Sequence, residues 1–361
     1  VIQQDFLPGI YPYYQRFNLP GHVETYCRKG FICFIRAYQW NEKVVLRHEN
    51  TIPAAVQDRV DLLTKTELNS SPTHFLYSDP GFQLEALLDE SMQDPIIQTE
   101  DYQGVKELLS VIHNAGAIKQ IVDVLKDQQV ILADGHHRYQ GSLDYRKYRT
   151  QNNSQHSGTE GYNYHMVYLT NMEAPDIRIL ATHRLVSGLP ELTEASFLEK
   201  ASAYFEISVI DTPYEINEII LGKSSTFGVV MKENTYKLVL KPGLDMKIEW
   251  PFPDIIKKLD LTVLHYSILE KIWGIAGKNQ RNSRHIDYDR NFTDCVTRVK
   301  QGDSQMAIIT NELTMEQVIE VCFSGYTLPQ KSTYFYPKAI CGLLFGSIKE
   351  DEFQLSHYPG F

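Results

Sequence analysis

A chain of 361 residues, 43% hydrophobic and 22% charged, has the composition of a globular protein of two packed domains or one large one. Its longest apolar run falls far short of the ~18 residues of a membrane span. A net charge of −10 and a pI of about 5.7 exclude a general grip on nucleic-acid backbones, so an anionic ligand must be met by a local cluster of cations.

The five cysteines, Cys27, Cys33, Cys295, Cys322 and Cys341, are odd in number and lack a CxxC pair. That argues against a disulfide framework or zinc ribbon and for a reducing cytoplasm. The opening Val1, Ile2, Gln3 has neither an initiator Met nor a signal-peptide pattern, which suggests a start inside a longer gene product. Residues 30–46 alternate apolar positions through Phe31, Cys33, Ile35 and Val45, predicting a hairpin that delivers Arg47, His48 and Glu49 to a strand end. Helical spacing covers 58–68, 83–92 and 117–127. Residues 130–133 form a short apolar run fit for a buried strand. That run stops at Asp134 and Gly135, and 138–147 is again helix-compatible, so a polar cluster occupies a strand-to-helix turn.

An exposed loop is expected over 152–161, where Asn, Ser, Gln, Gly and Thr accumulate. Strands are predicted over 162–170, 177–185, 227–232, 236–241 and 306–310, and helices over 194–205, 261–273 and 315–323. Helices and strands mixed throughout imply an α/β or mixed α+β architecture, with domains 1–190 and 191–361.

Four polar clusters stand out. In the first, LADGHHRY at 132–139, the helix start favours a bound anion. Arg138 adds a planar fork for phosphate, Gly135 permits close backbone approach, and Asp134 is suited to Mg²⁺ or a substrate hydroxyl. His136 and His137 can donate to phosphate or shuttle a proton. The second runs from Pro329 to Lys338 and holds Gln330, Lys331, Ser332, Thr333 and Lys338. It is not a Walker A loop, because Gln330 stands where the glycine before the lysine is needed. Two lysines and two hydroxyls among aromatics still suit a polyphosphate. Arg47-His48-Glu49 and Thr182-His183-Arg184 are the third and fourth clusters. Adjacent histidines on a turn diverge and no HExxH motif is present, so zinc is not expected; Mg²⁺ accompanying a nucleotide is.

The run LADGHHRY, with ATHRLV at 181–186 and LPQKSTYFYPKAICGLLF at 328–345, closely resembles the bacterial and archaeal family known as domain of unknown function 1015. RHENT at 47–51, DRVDLL at 58–63, NSSP at 69–72, LYSD at 76–79 and VLH at 263–265 extend the match over nearly the whole chain. Members of that family usually carry a further N-terminal portion with a Pro-Pro-Tyr-Asp type motif, which is not found here. More distantly, a strand followed by DGHHR is similar to the nucleotide-binding motif of the ParB and sulfiredoxin superfamily, which includes free-serine kinases. That likeness implies a ParB/sulfiredoxin-like core with a second α/β portion packed on it. It also implies that Asp134, His136, His137 and Arg138 hold phosphates and Mg²⁺, with Glu49 as the base.

The leading expectation is therefore an ATP- or ADP-dependent, Mg²⁺-requiring kinase acting on the hydroxyl of a small metabolite, with free L-serine as the first candidate. Glu49, Asp134 and His136 form its expected catalytic set, Asp134 also holding the metal. Gly135, His137, Arg138, His183, Arg184, Lys331, Ser332, Thr333 and Lys338 form its phosphate-binding set. The alternatives are a nucleotide-binding regulatory module without metabolite chemistry and a metal-dependent hydrolase or nuclease built on the paired histidines. A cytoplasmic protein with no nucleic-acid or membrane partner is expected, and oligomerisation stays open.

Overall fold

The computed structural model describes residues 2–19, 22–281, 283–329 and 331–355, so Gln330 lies outside the described residues. The architecture is mixed α/β. The chain divides into two units. The first runs up to Arg178 and is taken up again from Phe335, and the second is Ile179–Tyr334. This division differs from the expected one near residue 190: the second motif is split, with Lys331 in the second unit and Lys338 in the first.

In the first unit the strands are β1 (Tyr11–Asn18), β2 (Thr25–Arg36), β3 (Val45–Arg47), β4 (Leu68–Asn69), β5 (Thr73–Tyr77), β6 (Ile97–Glu100), β7 (Lys106–Leu109), β8 (Val130–Asp134) and β9 (Tyr164–Asn171). The helices are α1 (Pro53–Thr66), α2 (Glu85–Ser91), α3 (Ala115–Leu125) and α4 (His136–Asn152). Eight of the strands form one sheet in the order β3-β8-β5-β9-β2-β1-β7-β6. Within it β3 runs parallel to β8 and β5 parallel to β9.

The hairpin expected within 30–46 does not form. Residues 30–36 are the second half of β2, which pairs backwards with β1 and forwards with β9. Gly30 shows why this register holds: a Cβ there would lie 2.3 Å from the Leu169 carbonyl. Val45–Arg47 instead crosses to the sheet edge beside β8.

The apolar run before Asp134 is a wholly buried central strand, as its lack of alternation predicts. Phe75, Leu132 and Val167 of the sheet pack with Ile118 and Ile121 of α3 and with Tyr139 and Leu143 of α4. After Phe335 the chain adds Gly346–Ser347 to β4, and Ile348 packs with Leu63, Tyr145 and Tyr162.

The second unit is built on an antiparallel sheet ordered Phe205–Ile210, Thr235–Leu240, Thr226–Val230, Met306–Ile309, His183–Val186, Ile286–Asp289. The helix expected over 194–205 stops at Ala201, and Phe205 opens the edge strand. The helix expected over 261–273 begins as Asp260–Val263 and continues as a π-helix over Leu264–Ile272.

Candidate functional site

The turn at Asp134 is set by one glycine. Gly135 has φ +97°, and a Cβ there would stand 2.6 Å from Thr73 Cγ2, so neither the backbone conformation nor the space admits a side chain. Gly135 is also the N-cap of α4, a helix of 17 residues, and it supplies no side-chain cap. The amides of that first turn and the helix dipole therefore make a site for negative charge.

Asp134 lies beside this helix start, between two cations. Its Oδ2 accepts from Arg138 at 3.1 Å and its Oδ1 from Lys338 Nζ. Burial by itself would raise the carboxyl pKa. The charges of Lys338 and Arg138 outweigh that effect and hold it well below the usual carboxylate range. Arg138, the planar fork expected to suit phosphate oxygens, is also bonded within the protein. One of its terminal nitrogens donates to Ser71 Oγ at 2.7 Å and to the Pro72 carbonyl at 2.8 Å. The guanidinium thus braces the loop before β5 against the turn.

Histidines surround the turn. The His48 and His136 rings meet edge to face at 4.8 Å, and Phe335 packs on His48 and His74 at 6.3 and 5.7 Å. Burial, reinforced by Lys338, pushes His48 down to about 4. Burial pushes His74 and His136 well below the ordinary imidazole range, so all three are neutral at pH 7. His74 pairs with Thr170 at 2.7 Å. His165, taken down to about 3 by burial, bridges Thr73 and Ser142 at 2.9 and 2.7 Å. Among the described residues the buried His136 Nε2 has no hydrogen-bond partner, and it lies in the first turn of α4. His137 Nε2 accepts the Ile52 N–H at 3.0 Å, which assigns its proton to Nδ1 and ties the starts of α1 and α4 together.

The model of the family described as "Protein of unknown function (DUF1015)" matches residues 1–262. The chain belongs to this family. No curated protein matches it. It is similar to a conserved hypothetical protein from Pyrococcus furiosus, at 13% identity over 89% of this chain and 97% of that one, with a TM-score of 0.43. It is also similar to a free serine kinase in complex with AMP, at 13% identity over 84% and 86% with a TM-score of 0.43. A third likeness is to SbnI with a C-terminal truncation from Staphylococcus aureus, at 10% identity over 86% and 84% with a TM-score of 0.40.

Of the residues singled out in this DUF1015 chain, Asp134, Gly135, His136, His137, Arg138 and Lys338 come together in the first unit. Glu49 belongs there too. Because Arg47 pairs with Leu132 in parallel register, the chain leaves β3 for His48 and Glu49 at the same end of the sheet as Asp134. His183, Arg184, Lys331, Ser332 and Thr333 belong to the second unit. There His183, brought down to about 4 by burial and Arg184, lies within the sheet, and Ser332 Oγ donates to the Pro329 carbonyl at 2.5 Å.

Residues that sequence reasoning did not single out also shape the site in the DUF1015 fold. Arg28, Gln15, Glu107 and Tyr13 hold the segment that carries Lys338, and His74 and His165 support the turn from β5 and β9. Their partners lie too far along the chain for any local pattern to show them.

Among the described residues no group of three or more His, Cys, Asp or Glu is placed to hold a metal ion, and no helix is long and apolar enough to cross a membrane. Asp134 is a single carboxylate, which fits a Mg²⁺ that arrives with nucleotide phosphates rather than one held by protein ligands alone. A polar cavity of about 600 Å³, lined by Ser78, Asp79, Gln83, Lys119 and Gln128 among others, lies where β5 ends. Since β5 and β8 are antiparallel, this is the opposite end of the sheet from Asp134.

Proposed function

We propose that this DUF1015 protein binds a nucleotide with its phosphates at the start of α4 and transfers a phosphoryl group to the hydroxyl of a small metabolite. One observation carries the reading: the Asp134 carboxylate, paired with Arg138 and a third-exposed Lys338, sits beside the start of a long helix whose N-cap Gly135 supplies no side-chain cap. Phosphoryl transfer demands positioning and charge neutralisation more than covalent chemistry, and these parts supply both.

In this reading the first-turn amides of α4 and the Lys338 ammonium receive phosphate oxygens, and Lys338 shifts from Asp134 towards them. Asp134 would hold a Mg²⁺ arriving with the nucleotide, and that ion would supply charge neutralisation at the phosphates. Arg138 keeps the turn rigid, and neutral His136 offers its buried Nε2 for one hydrogen bond. Glu49, at the same sheet end, accepts the acceptor's hydroxyl proton. Free L-serine is the first acceptor to try, from the likeness of DGHHR to the motif of free-serine kinases. The test is to incubate the protein with ATP or ADP, Mg²⁺ and a panel of hydroxylated amino acids. Acceptor-dependent nucleotide turnover is expected, and nucleotide binding without turnover on any acceptor sinks the kinase reading.

That last outcome would favour a second reading, a nucleotide-binding regulatory module. It draws on one feature of the site: the nearby histidines are buried and neutral and Asp134 is saturated by cations, which suits holding a ligand as well as transforming it. Nucleotide-dependent association in light scattering, with no product formed, distinguishes it. The hydrolase or nuclease reading finds no ligand set among the described residues.

A further inference from the structure

Lys338 lies on irregular backbone between the Phe335–Tyr336 strand and the Gly346–Ser347 strand. Its ion pair with Asp134 is about one-third exposed on both sides. A pair of that kind contributes too little to fix a flexible four-carbon stem. The backbone beneath it is fixed by something stronger.

Arg28, 1% exposed, donates to the Pro337 carbonyl and to Gln15 Oε1, and reaches the Tyr336 carbonyl at 3.5 Å. Gln15 Nε2 donates to the Lys338 carbonyl and to Glu107 Oε1, each at 3.1 Å. Tyr13 closes the set: its hydroxyl donates to Glu107 Oε2 at 2.6 Å and accepts the Ile340 N–H at 3.4 Å. Three consecutive carbonyls and an amide are thereby satisfied by buried side chains of β1 and β2, two of which Glu107 of β7 holds in turn. Gln15 and Glu107 are fully buried. Apolar residues of similar volume would leave those carbonyls and that amide without partners. What the network adds is direction, because each hydrogen bond admits one placement of the segment.

We infer that Gln15, Arg28 and Glu107 are positioning residues for Lys338, a buried polar clamp that sets where its ammonium stands over the Asp134 turn. The functional half of this inference rests on the nucleotide reading; the structural half does not.

The experiment compares wild type with Glu107→Leu, Glu107→Gln and Gln15→Ala in the full chain. One readout is the rate of Lys338 acetylation by an N-hydroxysuccinimide ester, taken as a ratio to exposed Lys43 in the same sample. The other is ADP affinity, with and without Lys338→Ala. Glu107→Leu and Gln15→Ala should raise the Lys338 ratio about tenfold and weaken ADP to a similar degree, in line with losing one to two hydrogen bonds. Adding Lys338→Ala to either variant should then change ADP affinity by less than about twofold. Glu107→Gln should stay near wild type, because its amide can accept from Gln15 and donate to Tyr13.

A Lys338 ratio that stays at the wild-type value in folded Glu107→Leu or Gln15→Ala overturns the inference. So do ADP losses that multiply with that of Lys338→Ala. If Glu107→Leu does not fold, Gln15→Ala decides. A wild type that binds no ADP counts against the nucleotide reading alone, and the acetylation ratio still decides the clamp.

Discussion

Two histidine–arginine pairs, His137–Arg138 and His183–Arg184, share a dipeptide and little else. Arg138 stands in the first turn of a helix, partly exposed, bonded to a carboxylate and to the loop that precedes β5. Arg184 lies within an antiparallel strand, fully buried, and forms no ion pair among the described residues. It donates to the Thr182 and Lys331 carbonyls and lies over the Tyr288 ring at 5.4 Å, while burial brings its pKa down to about 10. What suits one to an anion and makes the other a core element is the setting: a helix start without a side-chain cap from Gly135, with an acidic neighbour and a second cation, against a sheet interior.

The largest test of that contrast is Asp134→Asn. It should lower acceptor-dependent nucleotide turnover by roughly 10²–10³-fold, the usual cost of losing a charge-organising group, in a steady-state assay. Unchanged turnover would break the comparison at its centre.

Next in size is the pH dependence that the clamp gives the first unit. Burial raises Glu107 from 4.5 to about 7. Its contribution to stability is thus complete below pH 4.5 and is lost as pH rises through about 7. At ~1.4 kcal/mol per pKa unit the loss reaches about 3 kcal/mol. Urea midpoints at pH 5 and pH 8 should fall in wild type and fall much less in Glu107→Gln.

Gly135→Ala should cost about 2 kcal/mol, since it adds a Cβ in the left-handed region and against Thr73; thermal unfolding measures it. Lys338→Ala should weaken ADP about tenfold yet move stability by less than ~1 kcal/mol, as suits a part-exposed pair. The smallest effect is expected from Arg184→Met. A buried cation without a carboxylate partner is replaced by a flexible apolar side chain with less than about 1 kcal/mol of change, and ADP affinity should not move. A clear ADP loss there would break the contrast between the two pairs.

The Asp134 turn was legible because an abrupt end to an unalternating apolar run, followed by glycine and a helical pattern, leaves little else for residues 134–136 to be. Lys338 was legible as a motif lysine, but its partner was not. The ion pair spans 204 residues, and Lys331, the neighbour of Lys338 in the motif, belongs to the other unit. The clamp was illegible for a different reason. Gln15 in β1 and Arg28 in β2 are polar residues pointing inward, and periodicity reads inward positions only when they are apolar. The hairpin misassigned over 30–46 belongs with these: alternation shows that a strand exists, whereas its partner is chosen by close approaches such as that of Gly30 to Leu169.

The departure of the chain after Arg178 and its re-entry at Phe335 also bear on biosynthesis. At ~5–20 residues per second, a ribosome that has just made Asp134 works for roughly 10–40 s before it delivers Lys338. Throughout that interval the nascent first unit carries Arg28, Gln15 and Glu107 with the carbonyls they are to bind still unmade, and polar side chains in that condition resist closing over a core. The half of the protein translated first is therefore the half that has to wait, and a chain terminated anywhere within Ile179–Tyr334 would present the DGHHR turn with neither its second cation nor the segment that covers it.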